Sequence, residues 1–440
     1  MSDQYLFHII ILAVAVFFLL GMGIWIFSAL MLASAFGLLF VADMPLSKVL
    51  AIFNGNLWTK SVNWEFACIP LFIWMGELLL RTSIAERMFR GIMPWIQWLP
   101  GRLLHTNIFG CTLFAAISGS STATTMTIGK ITSETLWKRG YDLRLAVGSL
   151  AGAGTLGLLI PPSIIMIVYG GLAEASIARL FAAGILPGLI VAGLFFLYVV
   201  IACLVKPELV PEEDAKQYSW QDRVRSLYDL LPVGLLIAIV LGGIYTGITT
   251  PTEAAAVGTF MALLLALFTK RLTPSVFINT LLSTIGTSCM VISIIIAASF
   301  LTSTMGYLQI PQNIAKAVSQ LGIEPIYLIG LIFIFYLILG CFLEGISILV
   351  MTLPIVLPLV VHAGYDPIWF GIFAIIAIEA AQITPPVGLN LFVIQSLTGR
   401  NIWRLAHDAL PFFGILLLSA ILMMFFPKIA LWLPDYLFNQ

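Results

Sequence analysis

Charge is what this sequence has least of: Asp, Glu, Lys and Arg make up 10% of 440 residues, against about 25% in an ordinary soluble domain. So sparse a charge set excludes a water-soluble enzyme. The 21 basic and 21 acidic residues cancel, so nothing suggests nucleic acid or a basic surface tail. Cysteine is scarce too. Cys68, Cys111, Cys203, Cys289 and Cys341 sit singly in apolar stretches without CxxC spacing, so a disulfide framework or thiolate metal site is not expected and they read as packing residues. The histidines, His8, His105, His362 and His407, are equally scattered, and no HExxH, Walker GxxxxGK[ST] or strand-borne GxGxxG occurs. Met1, Ser2 and Asp3 lack the basic head of a cleavable signal peptide.

Apolar residues are abundant instead, at 60% of the chain, room for ten or more membrane spans at about 20 residues each. Apolar runs bounded by charge, Gly and Pro place spans near 5–21, 24–42 and 67–80, with an amphipathic stretch from Ile84 to Leu99 lying along an interface. A hairpin at 104–137 follows, interrupted by the hydroxyl-rich run Ser118 to Thr125. Then comes a helix over 143–174 broken by Gly152, Gly154, Gly157 and Pro161–Pro162, and a span ending near 205. Residues 206–229 hold ten charges and read as the linker. Beyond it lie spans near 230–248, 253–269 and 276–304, an amphipathic piece at 311–321 and a hairpin at 326–362 that turns around Glu344 to Ser347. A helix over 367–397 broken at Thr384 to Gly388, a last span at 409–427 and a tail at 428–440 complete the chain.

The two halves repeat. Gly140 to Asp142 recurs as Gly364 to Asp366, Pro161–Pro162 as Pro385–Pro386, and Pro187 as Pro411, every pair 224 residues apart. With five crossings per half, the second copy is inverted. The chain therefore reads as an all-α integral membrane protein of two inverted-topology repeats, 1–205 and 230–427, each with a re-entrant hairpin and a discontinuous helix. If the N-terminus is outside, fifteen Lys and Arg fall on the cytoplasmic side and five outside, the bias that the positive-inside rule requires. Both termini are then periplasmic, the linker is cytoplasmic, and the two hairpins enter from opposite sides.

Irregular backbone at membrane depth survives only where protein buries it or where it lines a cavity. Four breaks, two per inverted half, point to one central site of the kind that secondary transporters build. Half-helix N-termini there face an anion, and freed carbonyls face a cation. Candidate oxygens in the first half are Ser118, Ser120, Ser121, Thr122, Thr124, Thr125 and Thr155, with carbonyls near Gly157, Ile160 and Pro161. In the second they are Ser347, Thr352, Thr384 and Asn390, with carbonyls near Gly345, Ala381 and Pro385. Small hydroxylic residues also serve simply to let helices pack closely. Among acids near membrane depth, Glu253 reads as a capping-box residue in Thr250-Pro-Thr-Glu253, whereas Glu344 and Glu379 stand beside breaks, where a buried charge is expensive and functional.

Four motifs in order, Phe114 to Ser121, Gly157 to Ser163, Thr249 to Ala256 and Ile383 to Leu391, resemble the large membrane (M) subunit of tripartite ATP-independent periplasmic (TRAP) transporters, of the ion transporter superfamily, over essentially the full length. The resemblance implies no enzyme but a sodium-coupled, elevator-type importer of an organic acid, a C4-dicarboxylate or similar carboxylate, in a bacterial or archaeal inner membrane. It implies two partners, a small four-helix membrane subunit and a periplasmic substrate-binding protein, and Na+ as coupling ion with no organic cofactor. Carried over by motif, one sodium site involves Ser118, Gly157, Ile160 and Pro162, and the other Gly345, Ala381, Thr384 and Pro386. Substrate lies between them near Ser120, Ser121, Thr122, Thr384 and Asn390. The rival reading is a stand-alone sodium- or proton-coupled dicarboxylate or citrate carrier of similar architecture. A membrane enzyme or scaffold would instead carry its polar clusters at an interface.

Overall fold

The computed structural model describes residues 3–82, 84–211, 218–320 and 322–438, and these form helices joined by turns. The first half runs α1 (Asp3–Gly21), α2 (Ile26–Phe36), α3 (Leu46–Ser61), α4 (Cys68–Leu80), α5 (Ile84–Ile96), α6 (His105–Ser118), α7 (Ser121–Lys138), α8 (Leu143–Leu159), α9 (Ile164–Ala173) and α10 (Ile177–Val205). The second runs α11 (Trp220–Tyr245), α12 (Pro251–Phe268), α13 (Pro274–Tyr307), α14 (Ile310–Gln320), α15 (Pro325–Gly340), α16 (Gly345–His362), α17 (Pro367–Gln382), α18 (Leu389–Thr398), α19 (Ile402–Phe425) and α20 (Lys428–Phe438). Seven helices among the described residues are long and apolar enough to cross a membrane, counting α8 with α9 as one, and α3 with α4 forms a further pair bent by 54°. The chain is a multi-pass, all-α membrane protein.

Each break follows from local chemistry. At Pro161–Pro162 and Pro385–Pro386, both cis, two missing backbone donors end the preceding helix. Asp142 and Asp366 start α8 and α17, accepting hydrogen bonds from Leu145 N–H at 2.9 Å and Ile368 N–H at 2.6 Å. Glu253 is the cap its sequence suggests: its carboxylate accepts from Thr250 N–H at 2.8 Å, and Thr250 Oγ1 accepts from Glu253 N–H at 3.3 Å.

Two packing groups result. Helices α2, α3, α4, α11, α12 and α13 pack mainly on one another, and α6 to α10 with α15 to α20 form the second group. At the centre of the second lie α8, buried from Leu145 to Leu159, and α17, buried from Ile368 to Gln382. Along α8 and α9 the apolar stretch is 89% buried, against 22% in peripheral α11. Lipid is as apolar as leucine, so close van der Waals fit, not exclusion from water, holds such helices together. The fit is visible at Gly152, where a Cβ would lie 2.6 Å from Phe412 of α19. The halves interlock, with α18 against α7 and α9 against α16. Amphipathic α5 and α14 lie between the groups, α5 held to α11 by an Arg87–Asp229 ion pair at 3.2 Å.

Three local expectations change. Residues 46–61, assigned to no span, form α3, a helix whose Lys48, Asn54, Asn56 and Lys60 dilute the apolar signal. The segment read as a linker over 206–229 is helical from Trp220, where Ser219 and Asp222 make a capping box, and its residues 212–217 lie outside the described residues. The segment read as a tail folds as α20, packed on α10 through an Arg179–Asp435 ion pair at 2.9 Å. Cys289 also departs from its packing reading, because it is exposed on α13.

Candidate functional site

The first hairpin turns in two residues. Gly119 adopts φ +59°, where a side chain would be strained. Ser120 then caps α7, its hydroxyl accepting from Ala123 N–H at 3.4 Å. This tip rests directly on the last turn of α8. A Cβ on Gly157 would stand 2.5 Å from the Ser120 carbonyl oxygen and 2.6 Å from Ser121 Cα, so only glycine admits the contact. Across the break, Ile164 N–H donates to the Gly119 carbonyl at 3.4 Å, and the Ser118 and Thr124 hydroxyls meet at 2.7 Å.

The second hairpin reproduces the plan with different chemistry. Its turn spans 341–344, and the Glu344 carboxylate caps α16, accepting from Ser347 N–H and Ser347 Oγ, each at 3.3 Å. It rests on the last turn of α17, where Gly340 meets Ala381, and a Cβ on Gly345 would lie 2.8 Å from Gln382 Nε2. Val387 N–H donates to the Cys341 carbonyl at 3.1 Å across this break, the counterpart of Ile164 and Gly119.

Behind the first tip a buried polar cluster joins the halves. Asn390 Nδ2 donates to Ser121 Oγ at 2.7 Å, and the single hydroxyl proton of Ser121 reaches either Glu379 Oε2 at 3.1 Å or the Gly154 carbonyl at 3.0 Å. Glu379 is 1% exposed. Its Oε1, Gln382 Oε1 and Asn390 Oδ1 are buried oxygens without a hydrogen-bond partner among the described residues.

In front of the tips lies a cavity of about 230 Å³. Gly119, Ser120, Ser121 and Thr122 form its first wall, and Glu344 and Ile346 its second. Leu158, Ile164, Gln382 and Leu389 close it at the broken helices. The remaining wall is Thr287, Met290 and Val291 of α13, from the other packing group. Among its lining residues there is one carboxylate, Glu344, and no Lys or Arg. Positive potential for an anion can then come from the N-terminus of α7 or from a bound cation, since the N-terminus of α16 already faces the Glu344 carboxylate.

Of the residues singled out for substrate, Ser120, Ser121 and Thr122 face the cavity. Asn390 is buried behind Ser121, and Thr384 turns its hydroxyl to the Ala381 carbonyl at 2.6 Å. Ser118, Gly157, Ile160 and Pro162 gather around the first tip, where a Cβ on Gly119 would lie 2.9 Å from the Pro162 carbonyl oxygen and Ile160 ends α8. Gly345, Ala381, Thr384 and Pro386 gather around the second. The α13 wall went unforeseen from the sequence. Position 287 is one threonine inside a 34-residue helix and carries no local signal.

Comparison with known proteins follows the same lines. Residues 11–429 match the family described as "Tripartite ATP-independent periplasmic transporter, DctM component". The chain is 35% identical over 402 residues to the C4-dicarboxylate TRAP transporter large permease protein DctM of Pseudomonas aeruginosa, covering 91% of this chain and 92% of that one. It is 32% identical over 453 residues to the protein of the same name from Vibrio cholerae serotype O1, covering 97% and 98%. Among solved structures, the Alcanivorax borkumensis YdaH transporter aligns with a TM-score of 0.62 at 16% identity, over 90% of this chain and 91% of that one. That last likeness is one of fold.

Proposed function

We infer, for a chain that belongs to the DctM component family of tripartite ATP-independent periplasmic (TRAP) transporters, that the cavity between its hairpin tips carries a small organic acid and that sodium fills the oxygen-rich pockets behind them. The chain is the large permease subunit, a transport protein of the inner membrane and not an enzyme. Membership supports cation-coupled transport and association with a small membrane subunit and a periplasmic binding protein. The finer assignments are ours: sodium as the ion, and a C4-dicarboxylate or similar carboxylate as the solute, after the relatives named for C4-dicarboxylates.

One observation carries the reading. The cavity is walled on one side by both tips and on the other by α13, so solute bound to the tips can travel with them past a fixed helix. At 34 residues and 1.5 Å per residue, α13 is ~51 Å long, enough to flank such a movement across the whole bilayer. We assign the moving body to the two hairpins and broken helices, within repeats 1–205 and 230–427 joined by 206–229. Both termini are periplasmic in this assignment, because the fifteen-to-five distribution of basic residues favours it.

Sodium is a hard cation and takes oxygen ligands. Ser118 with the carbonyls of Gly157, Ile160 and Pro162 would hold one ion, and Thr384 with those of Gly345, Ala381 and Pro386 the other. Ser120, Ser121 and Thr122 bind the solute. Asn390, set behind Ser121, orients that hydroxyl rather than touching solute. With Glu344 facing the cavity, a carboxylate solute gains from ions bound first, which ties uptake to the gradient.

The test is uptake of labelled organic acids into proteoliposomes holding this chain with its small membrane subunit, with and without sodium and the binding protein. Uptake that requires all of them is expected. Uptake by the chain alone would instead favour the stand-alone carrier, and indifference to sodium would remove the ion assignment.

A further inference from the structure

At one end of the second packing group, a groove of about 440 Å³ opens between the first turn of α8, the last turns of α10 and the N-terminal turns of α19. Arg144, Lys206 and His407 stand around its mouth, and Tyr198 and Phe412 form its floor, their rings edge to face at 5.1 Å. Two carboxylates also line it, and both are engaged. Asp142 accepts the Leu145 amide at 2.9 Å as the cap of α8. Asp408, with a side chain only 6% exposed, pairs with Arg400 at 2.9 Å. Neither Arg144 nor Lys206 has an ion-pair partner among the described residues, and both are exposed.

The apolar side of the groove does not end at its rim. Ile201 and Val205 line it, and with Leu197 and Leu204 they make an exposed stripe at helical spacing up α10. Cations at the membrane edge, above an apolar floor that continues along a lipid-facing helix, match an anionic phospholipid in both of its parts. Basic pockets between spanning helices take acidic headgroups, each Lys or Arg adding about a fivefold attraction. A soluble phosphate would use the cations and leave the stripe unexplained.

We propose that this groove is a binding site for an anionic phospholipid, its phosphate held by Arg144 and Lys206 and its acyl chain lying along Leu197, Ile201 and Leu204. The site is separate from the hairpin cavity and does not depend on which solute that cavity carries.

Native mass spectrometry of the full chain in detergent tests it, with phosphatidylglycerol, phosphatidylcholine of the same acyl chains and inorganic phosphate as the three probes. Phosphatidylglycerol is expected to bind well above phosphatidylcholine. The double variant Arg144→Gln, Lys206→Gln should lose about 25-fold in phosphatidylglycerol affinity, fivefold for each cation removed, and Lys130→Gln, which removes an exposed cation elsewhere, should lose none. Ile201→Gln, on the stripe, should weaken the lipid while leaving both cations in place. Equal binding of the two lipids, an unaffected double variant, or displacement of the lipid by millimolar phosphate would overturn the proposal.

Discussion

The two hairpin tips share a plan and differ in chemistry. Each lies on the last turn of its own repeat's first half-helix, through Gly157 in one case and through Gly340 and Gly345 in the other, and each carbonyl at a turn accepts an amide from beyond the break. Yet the first tip is capped by a hydroxyl, Ser120, and tied by Ser121 into a buried cluster of the opposite half. The second is capped by the carboxylate of Glu344, which faces the cavity. Duplication therefore conserved the scaffold and not the polar groups. The first tip is built to be held rigidly, the second to present charge.

Glycine substitutions should break the comparison most sharply. In Gly157→Ala the new methyl meets backbone, the Ser120 carbonyl at 2.5 Å, and the tip itself must move. Overpacking of this kind costs about 1–3 kcal/mol, and displacement of the solute-binding hydroxyls should reduce uptake about a hundredfold at that cost. In Gly345→Ala the nearest atom is the movable end of Gln382 at 2.8 Å, so uptake should fall less than about tenfold, in line with the cheaper repacking. Initial rates in proteoliposomes compare the two, and equal losses would erase the asymmetry.

Ser121→Ala should come next. It strips the Glu379 carboxylate of its hydroxyl donor and Asn390 of its acceptor, both of them buried behind the tip. Such an orphaned group costs about 1–3 kcal/mol, visible as a lower unfolding midpoint in detergent together with weaker uptake. Glu344→Gln should have the smallest effect on stability, because the amide oxygen still accepts from Ser347 and caps α16. Its effect belongs to ion and solute affinity: the sodium concentration for half-maximal uptake should rise several-fold while the unfolding midpoint stays. A drop in stability as large as that of Ser121→Ala would mean that the second tip is held as the first is.

Much of this is readable from the sequence, since the 224-residue offset marks Pro161–Pro162 and Pro187 twice and Gly- and Ser-rich runs interrupt the apolar segments beside them. Family motifs also located the hairpin turns and the family itself. What the sequence does not encode locally is direction. Asn390 and Ser121 are equally polar, but one faces the cavity and the other stands behind it, a distinction set by the packing of α18 on α7. Thr287, Met290 and Val291 belong to the site only because α13 comes alongside from the other packing group. α3 carries no clear span signal because its lysines and asparagines break the apolar run, although the helix packs on α13.

Solute held between the tips and α13 would cover Thr287 on that helix wall. With Cys289 and Cys341 replaced by serine, the alkylation rate of Thr287→Cys is followed with and without sodium and a transported organic acid. Protection by the two together, and not by either for an unrelated exposed cysteine, is the expected result; a rate at position 287 that ignores both would contradict the account.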